Sequence, residues 1–312
     1  MIIGTGVVMR KRLVVVCQSG EMEFDVVVVG SANLDLVAQL DRLPLAGETL
    51  RANSYAEFAG GKGLNQAIAC ARMGARTAFV GCLGNDDAGE FLRSVLTSDG
   101  IDISNVRTVA APTGRAFINV DAHGENAIVV VSGANAMVGS DGQLFEIPPG
   151  KIVLAQLEVP QTVISAAFTY ARNQGSYTVL NPAPAARLSA ELLSATDLIV
   201  PNETESLAIG GTEALLKAGV KTIVVTQGEV GANIITKTDT RHIAAFEVTP
   251  IDTVGAGDAF IGAMCAELAR GETLFNACQT AAVAGALATT VRGAVPSLPT
   301  RAAVIAAQAE RQ

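Results

Sequence analysis

The stretch "FDVVVVGSANLD", residues 24–35, carries four consecutive valines, Val26 to Val29, closed by Gly30-Ser31. A run without polar alternation is the pattern of a strand buried on both faces of a parallel sheet. Similar runs recur at "RTAFVGCLG" (76–84), "KIVLAQLE" (151–158), "YTVLNPAP" (177–184), "DLIVPN" (197–202) and "KTIVVTQG" (221–228). Segments with helical periodicity lie between most of them, at 62–74, 86–98, 160–174 and 203–218. Strand and helix in alternation imply right-handed βαβ units. The expected class is α/β: a Rossmann-like, doubly wound and mostly parallel sheet with helices on both faces.

Two stretches break that rhythm. Residues 35–59 alternate apolar and polar through Pro44 and Gly47, and 113–132 read as a hairpin turning at His123-Gly124. Together they predict a small β-sheet inserted beside the main body. A thin sheet with an apolar face is not stable alone, so it should cover a site or pair with a second copy. Its apolar positions are Leu36, Leu40, Leu43, Phe117, Ile118, Ile128 and Val130. Through them the lid segments predict a homodimer.

Composition removes several function classes. Of 312 residues, 49% are hydrophobic and 17% charged, enough apolar mass for a large core. The net charge of −8 argues against a nucleic-acid or anionic-membrane binder. Five scattered cysteines (Cys17, Cys70, Cys82, Cys265, Cys278) lack any CxxC pair and read as free thiols in a reducing cytoplasm. Two histidines leave little room for a His-based metal site or a Ser-His-Asp triad. No apolar run reaches the ~18 residues of a membrane span. The first 24 residues differ from the rest: "MRKRLVVVC" (9–17) imitates a signal peptide but is too short and lacks a cleavage site. They are taken as an extension without an assigned role, before one domain at 25–312.

In a doubly wound sheet ligands bind outside the carboxyl ends of the strands. The polar residues expected there are Asn33, Asp35, Glu158, Asn202 and Thr226. "DTVGAGDAF" (252–260) sets small residues before an apolar helix, where backbone amides can approach an anion. Asp258 is then either a charge favouring the helix start or a general base beside an anion hole. "AGGKGLNQA" (59–67) opens a helix without the Walker order. It is either a tight loop with a stray lysine or a place where Gly60 and Gly61 admit a ligand reached by Lys62 and Asn65. "PNETE" (201–205) places Asn202 and Glu205 three apart: a helix cap with solvated acids, or holders of water on Mg²⁺.

In this order the motifs resemble the ribokinase-like (PfkB) sugar kinase family. The likeness runs from about Asp25 to Pro299 and includes "GSANLD", "GGKGLNQA", "GNDDAGE", "GENAIVVVSGAN", "NPAPA", "PNETE", "TQGEVG", "DTVGAGDAF" and "RGAVPSLP". It implies an ATP-dependent transfer to the 5-hydroxyl of D-ribose, with Mg²⁺ and an activating K⁺. Carried over residue by residue, Asn33, Asp35, Gly61, Lys62, Asn65 and Glu158 would hold the sugar. Asp258 would be the base, and the amides of Gly255, Ala256 and Gly257 the anion hole. Asn202 and the loop Thr226, Gln227, Gly228, Glu229, Val230 and Gly231 would face ATP, with Gly257. Glu205 falls in the Mg²⁺-linked motif. Asp252, carbonyls of Val254, Ala288, Val291 and Gly293, and the Ser297 side chain match the monovalent-cation site.

Two departures stand out. Ala282 replaces the Asn or His that often lies near the adenine, and residues 1–24 have no counterpart in the family. Siblings acting on 2-deoxyribose, fructose or a nucleoside are rival readings, as is a non-catalytic sugar sensor. A dinucleotide-dependent oxidoreductase fails because "GSANLD" is not GxGxxG.

Overall fold

The computed structural model describes residues 15–16, 22–140 and 145–310, so most of the expected extension, with Cys17, lies outside the described residues. The strands are β1 (Phe24–Val29), β2 (Asn33–Gln39), β3 (Ser54–Gly60), β4 (Thr77–Gly84), β5 (Val106–Val109), β6 (Gly114–Val120) and β7 (Asn126–Val131). After them come β8 (Gly150–Gln156), β9 (Tyr177–Asn181), β10 (Leu198–Ile199), β11 (Thr222–Thr226), β12 (Gly231–Ile235) and β13 (Thr240–Ala244). A two-residue parallel ladder also joins Val15–Val16 to Phe145–Glu146.

Nine strands form the main sheet in the order β13-β12-β11-β10-β9-β8-β1-β4-β5. Neighbours from β11 through β5 run parallel, and β12 is antiparallel to both of its neighbours. The chain builds outward from β1 first through β4 and β5, then in the other direction through β8, so strand order reverses between β1 and β8. That switch point is where an α/β sheet leaves a crevice for ligands. The β1 run explains its central place. Val26 and Val28 pack into one core with Leu64, Ile68 and Met264, while Val27 and Val29 pack into the other with Ile164 and Phe168. All four valines are fully buried, as a strand covered by helices on both faces requires.

The helices are α1 (Lys62–Arg72), α2 (Asp87–Ser98), α3 (Gln161–Asn173), α4 (Ala190–Ser194), α5 (Glu203–Ala208), α6 (Gly211–Lys217), α7 (Ala256–Ala269), α8 (Leu274–Ala288), α9 (Ala294–Ser297) and α10 (Arg301–Ala309). The segment expected as one helix over 203–218 is two. Gly210 and Gly211 have φ of 105° and 82°, which ends one helix and starts the next. Among the described residues no helix is long and apolar enough to cross a membrane. Cys70, Cys82, Cys265 and Cys278 are all buried.

The second sheet has the order β3-β2-β6-β7. The turn after β6 closes on Asp121, whose Oδ1 accepts from the amides of His123 and Glu125. Its apolar residues are distributed differently from the expectation of one face. Asp35 pairs with Ala116, which pairs with Val130, and Val37 pairs with Ile118, which pairs with Ile128. Leu36 pairs with Phe117, which pairs with Val129, on the opposite face. A two-residue side-chain period divides the set in this way. Leu40 is buried and contributes to neither open face. The Asp35 face leads directly to the end of β1 and the crevice.

Candidate active site

Asp35 projects from β2 against Gly60 of β3. A Cβ built on Gly60 would lie 2.0 Å from the Asp35 Oδ2 atom, so any side chain there would evict the carboxylate. Asp35 Oδ1 is buried with no hydrogen-bond partner among the described residues. Asn33, two residues earlier on the same β2 face, accepts at Oδ1 from Asn135 Nδ2 at 2.7 Å. Across the crevice, Glu158 follows β8, and its Oε2 accepts from Ser31 Oγ and from the Lys62 amide at 3.0 Å. Lys62 thus enters the site through its backbone. Gly61 precedes it with φ 90°, tight against the Ala32 and Asn33 backbone.

Asp258 lies in the first turn of α7, where a carboxylate favours a helix start. Its side chain makes no capping bond. Instead it turns across to α1: Asn65 Nδ2 donates to Oδ2 and Gln66 Nε2 to Oδ1, both at 2.9 Å. The plain capping role is therefore not what positions this carboxylate. Asn65 Oδ1 remains buried and unpaired. A buried acceptor without a donor costs about 1–3 kcal/mol. Asp35 Oδ1 and Asn65 Oδ1 are thus two buried acceptors that a hydroxyl donor could satisfy.

Three carboxylates surround this crevice, and the electrostatics follow from that. Burial, together with the charges of Glu158 and Asp258, pushes the Asp35 carboxyl up to about 7. Burial disfavours the charged form, and two like charges disfavour it further.

On the far side of Gly257 lies a cavity of about 850 Å³. Thr226, Gly228, Glu229, Val230 and Gly231 line it, with Ala256 and Gly257. Most of its remaining wall is apolar, including Val248, Phe260, Ala282 and Ala286. Gly257 has no atom within 4 Å of where a Cβ would stand, and its amide has no partner among the described residues. The Ala256 amide, expected in the anion hole, points instead to Thr253 O at 3.3 Å. Gln227 is not in the wall: its amide donates to Glu203 Oε1 and accepts from Asn233 Nδ2, so it is occupied in tying loops together. Asn202 is exposed, bridges backbone to backbone with Thr226 beside the cavity, and caps α5. Its Oδ1 accepts from the Glu205 amide while Glu205 Oε2 accepts from the Asn202 amide, a reciprocal capping box. The cap reading of "PNETE" is thus present in the structure.

Asp252 joins two loops. Its Oδ1 accepts from the Val254 amide at 3.0 Å and its Oδ2 from the Gly293 amide at 2.9 Å. Ile251 and Asp252 amides both donate to Thr289 O, and Val291 donates to Ala288 O at 3.4 Å. Ser297 Oγ donates to Ala294 O and lies 3.4 Å from where a Gly255 Cβ would stand. These bonds tie Asp252 to Val254, Gly293 and Thr289, and place Ser297 beside Gly255 at the turn that starts α7.

Sequence reasoning passed over Ser31, Gln66, Asn135, Gln156 and Asn181. A signal existed for three of them, since Gln66, Gln156 and Asn181 are polar residues inside apolar runs. The cavity wall at 245–250 carried no periodic signal.

The chain matches the model of the pfkB family carbohydrate kinase over residues 23–301. It is 40% identical over 292 residues to the ribokinase of Staphylococcus aureus, covering 88% of this chain and 96% of that one. It is 39% identical to a bifunctional ribokinase/ribose-5-phosphate isomerase A of Fructilactobacillus sanfranciscensis, covering 90% of this chain but only 55% of that one. Among solved structures, Arabidopsis thaliana ribokinase complexed with ribose and ATP superposes with a TM-score of 0.81 at 30% identity. That match covers 90% of this chain and 97% of the other.

The Asp35 shift predicts a pH effect on stability with a definite sign. With a folded pKa of about 7 against an ordinary 3.8, the folded state holds the proton more tightly than the unfolded chain. The penalty is absent below about pH 4, grows by up to about 1.4 kcal/mol per pH unit, and is complete above about pH 7. Asp35→Asn should therefore gain on the wild type in melting temperature as pH rises from 4.5 to 8. Parallel melting profiles for the two proteins would contradict the shift.

Proposed function

Because the chain belongs to the pfkB family of carbohydrate kinases, we infer that it phosphorylates D-ribose with ATP. One observation carries the reading: the crevice with two unpaired buried acceptors and the 850 Å³ cavity meet at Gly257–Asp258. A hydroxyl on one side and a triphosphate on the other would face each other there.

The proposed sugar holders are Asn33, Asp35, Gly61, Lys62, Asn65 and Glu158. Hydroxyls donating to Asp35 Oδ1 and Asn65 Oδ1 would relieve both unpaired acceptors. Asn65 spans the two tasks, because its Nδ2 donates to Asp258 while its Oδ1 stays open. The 5-hydroxyl would lie against Asp258, which takes its proton as the oxygen attacks the terminal phosphorus and the bond from that phosphorus to the bridging oxygen breaks, releasing ADP. The open Gly257 amide at the start of α7 supports an anion hole for the transferring group. The Gly255 amide would assist, and the Ala256 amide would first have to release Thr253 O. The base of ATP would lie against Ala282, Ala286 and Val248, an apolar wall where hydrogen bonds are few.

Mg²⁺ supplies charge neutralisation between phosphate oxygens when bound. Glu205 would orient water on it, using whatever capacity its capping bond leaves. Asp252 suits a monovalent cation: each of its oxygens keeps lone pairs beyond the amide it accepts. The carbonyls of Val254, Ala288, Val291 and Gly293 and the Ser297 hydroxyl would complete the site. Potassium should then raise kcat relative to tetramethylammonium, and equal rates would remove the site. The four-stranded sheet would act as a lid over the sugar and join two chains into a homodimer in the cytoplasm. Its exposed Phe117, Ile128, Val129, Val130 and Val131 support that pairing. Sedimentation at micromolar concentration should give twice the 32.0 kDa chain mass, and a monomer there would rule it out.

Asp258→Ala should fold and bind both substrates but lose roughly 10²–10⁴ in kcat. Single-turnover kinetics with saturating ribose and ATP make the measurement. Turnover near the wild-type rate would remove Asp258 from the role of base.

A further inference from the structure

Gln66 is fully buried one residue after a sugar holder, and all of its polar atoms are engaged. Its Nε2 donates to Asp258 Oδ1 at 2.9 Å and to Asn181 Oδ1 at 3.0 Å. Its Oε1 accepts from Gln156 Nε2 at 2.5 Å. Asn181 in turn donates through Nδ2 to Val200 O at 2.9 Å. Gln156, Asn181 and Val200 stand at the carboxyl ends of three neighbouring parallel strands, β8, β9 and β10. A chain of side-chain amides therefore runs from the parallel sheet to one oxygen of Asp258.

We infer that Gln66 is a positioning residue for phosphoryl transfer, holding Asp258 Oδ1 against the sheet so that the carboxylate meets the substrate hydroxyl in one orientation. The inference rests on the reading of Asp258 as the base. The physical case has three parts. A carboxylate at the end of a side chain rotates about its last bond unless both oxygens are engaged. Asn65 engages Oδ2, but Asn65 is itself a sugar holder with one atom left open, so it can shift as sugar binds. Gln66 touches no site that a ligand would occupy and is fixed by two further amides, which makes it the fixed point of the pair. Amide donors also stabilise the charged form of the carboxylate they bind, and Gln66 supplies one of only two.

The test is steady-state kinetics of Gln66→Leu across pH, with Asp258→Asn measured alongside. Gln66→Leu keeps the volume and removes the donor. The expected result is a kcat lower by about 10- to 100-fold, the scale of a misplaced reacting group. KM for ribose and for ATP should stay at wild-type values. The acid limb of the kcat profile should move to higher pH, since a carboxylate that loses a donor is protonated more easily. An unchanged kcat, an unmoved acid limb, or a loss confined to KM would each overturn the proposal. If Gln66→Leu does not fold, Gln156→Leu removes the anchor while leaving Gln66 in place. It should show the same limb movement with a smaller loss of kcat, and a folded variant with the wild-type profile overturns the proposal. Asp258→Asn separates the two ideas. If it turns over normally, the base reading fails. If it is inactive while Gln66→Leu is normal, only the positioning role fails.

Discussion

Two amide bonds from consecutive residues of α1 hold the Asp258 carboxylate, and the rest of the site takes its shape from them. They fix the start of α7 to the start of α1, so the glycine-rich turns before both helices face one crevice. Without that tie, Asp258 would be an acid in the first helical turn, satisfied by its own backbone. With it, the carboxylate stands between a cavity of nucleotide size and a pair of unpaired acceptors. The sheet supplies the rigidity. Its order reverses between β1 and β8, and the polar residues that hold the crevice stand at or just beyond those strand ends.

The site is poised at a cost to the empty protein. Among the described residues two buried acceptors have no donor, and burial, with the charges of Glu158 and Asp258, raises Asp35 to about 7. Each is a free-energy penalty that a hydroxyl-bearing ligand can relieve. Binding is then selective for hydroxyl geometry, since a ligand lacking a donor leaves the penalty in place. Apolar cores pack on both faces of β1, beneath the strand end where this cost is incurred.

The fold was legible because its signal is redundant. Short apolar runs such as Val26–Val29 and Ile223–Val225, rich in β-branched residues and recurring between helical periods, read as strands covered on both faces. The breaks in the pattern at 35–59 and 113–132 marked the second sheet. Its faces were misread because Phe117 and Ile118 are neighbours in sequence, and a strand sends neighbours to opposite sides. The division at Gly210-Gly211 was visible as a glycine pair but was absorbed into a helical period. At the site, Asn33, Asp35, Asn65, Glu158 and Asp258 could be named from strand ends and motifs. Gln66, Gln156 and Asn181 were not, although each interrupts an apolar run. Their role depends on contacts between residues 90 to 192 positions apart, which no local pattern encodes. Gln227 was named by its place in a loop, and its side chain serves that loop instead.

The central claim is that unpaired buried acceptors, not the shape of the crevice alone, choose the substrate. The direct measurement is kcat/KM for ribose and for 2-deoxyribose under one set of conditions. The account predicts a preference for ribose of up to roughly 10⁴-fold, because the missing hydroxyl leaves a buried polar group without its partner. Equal efficiency with the two sugars would contradict it.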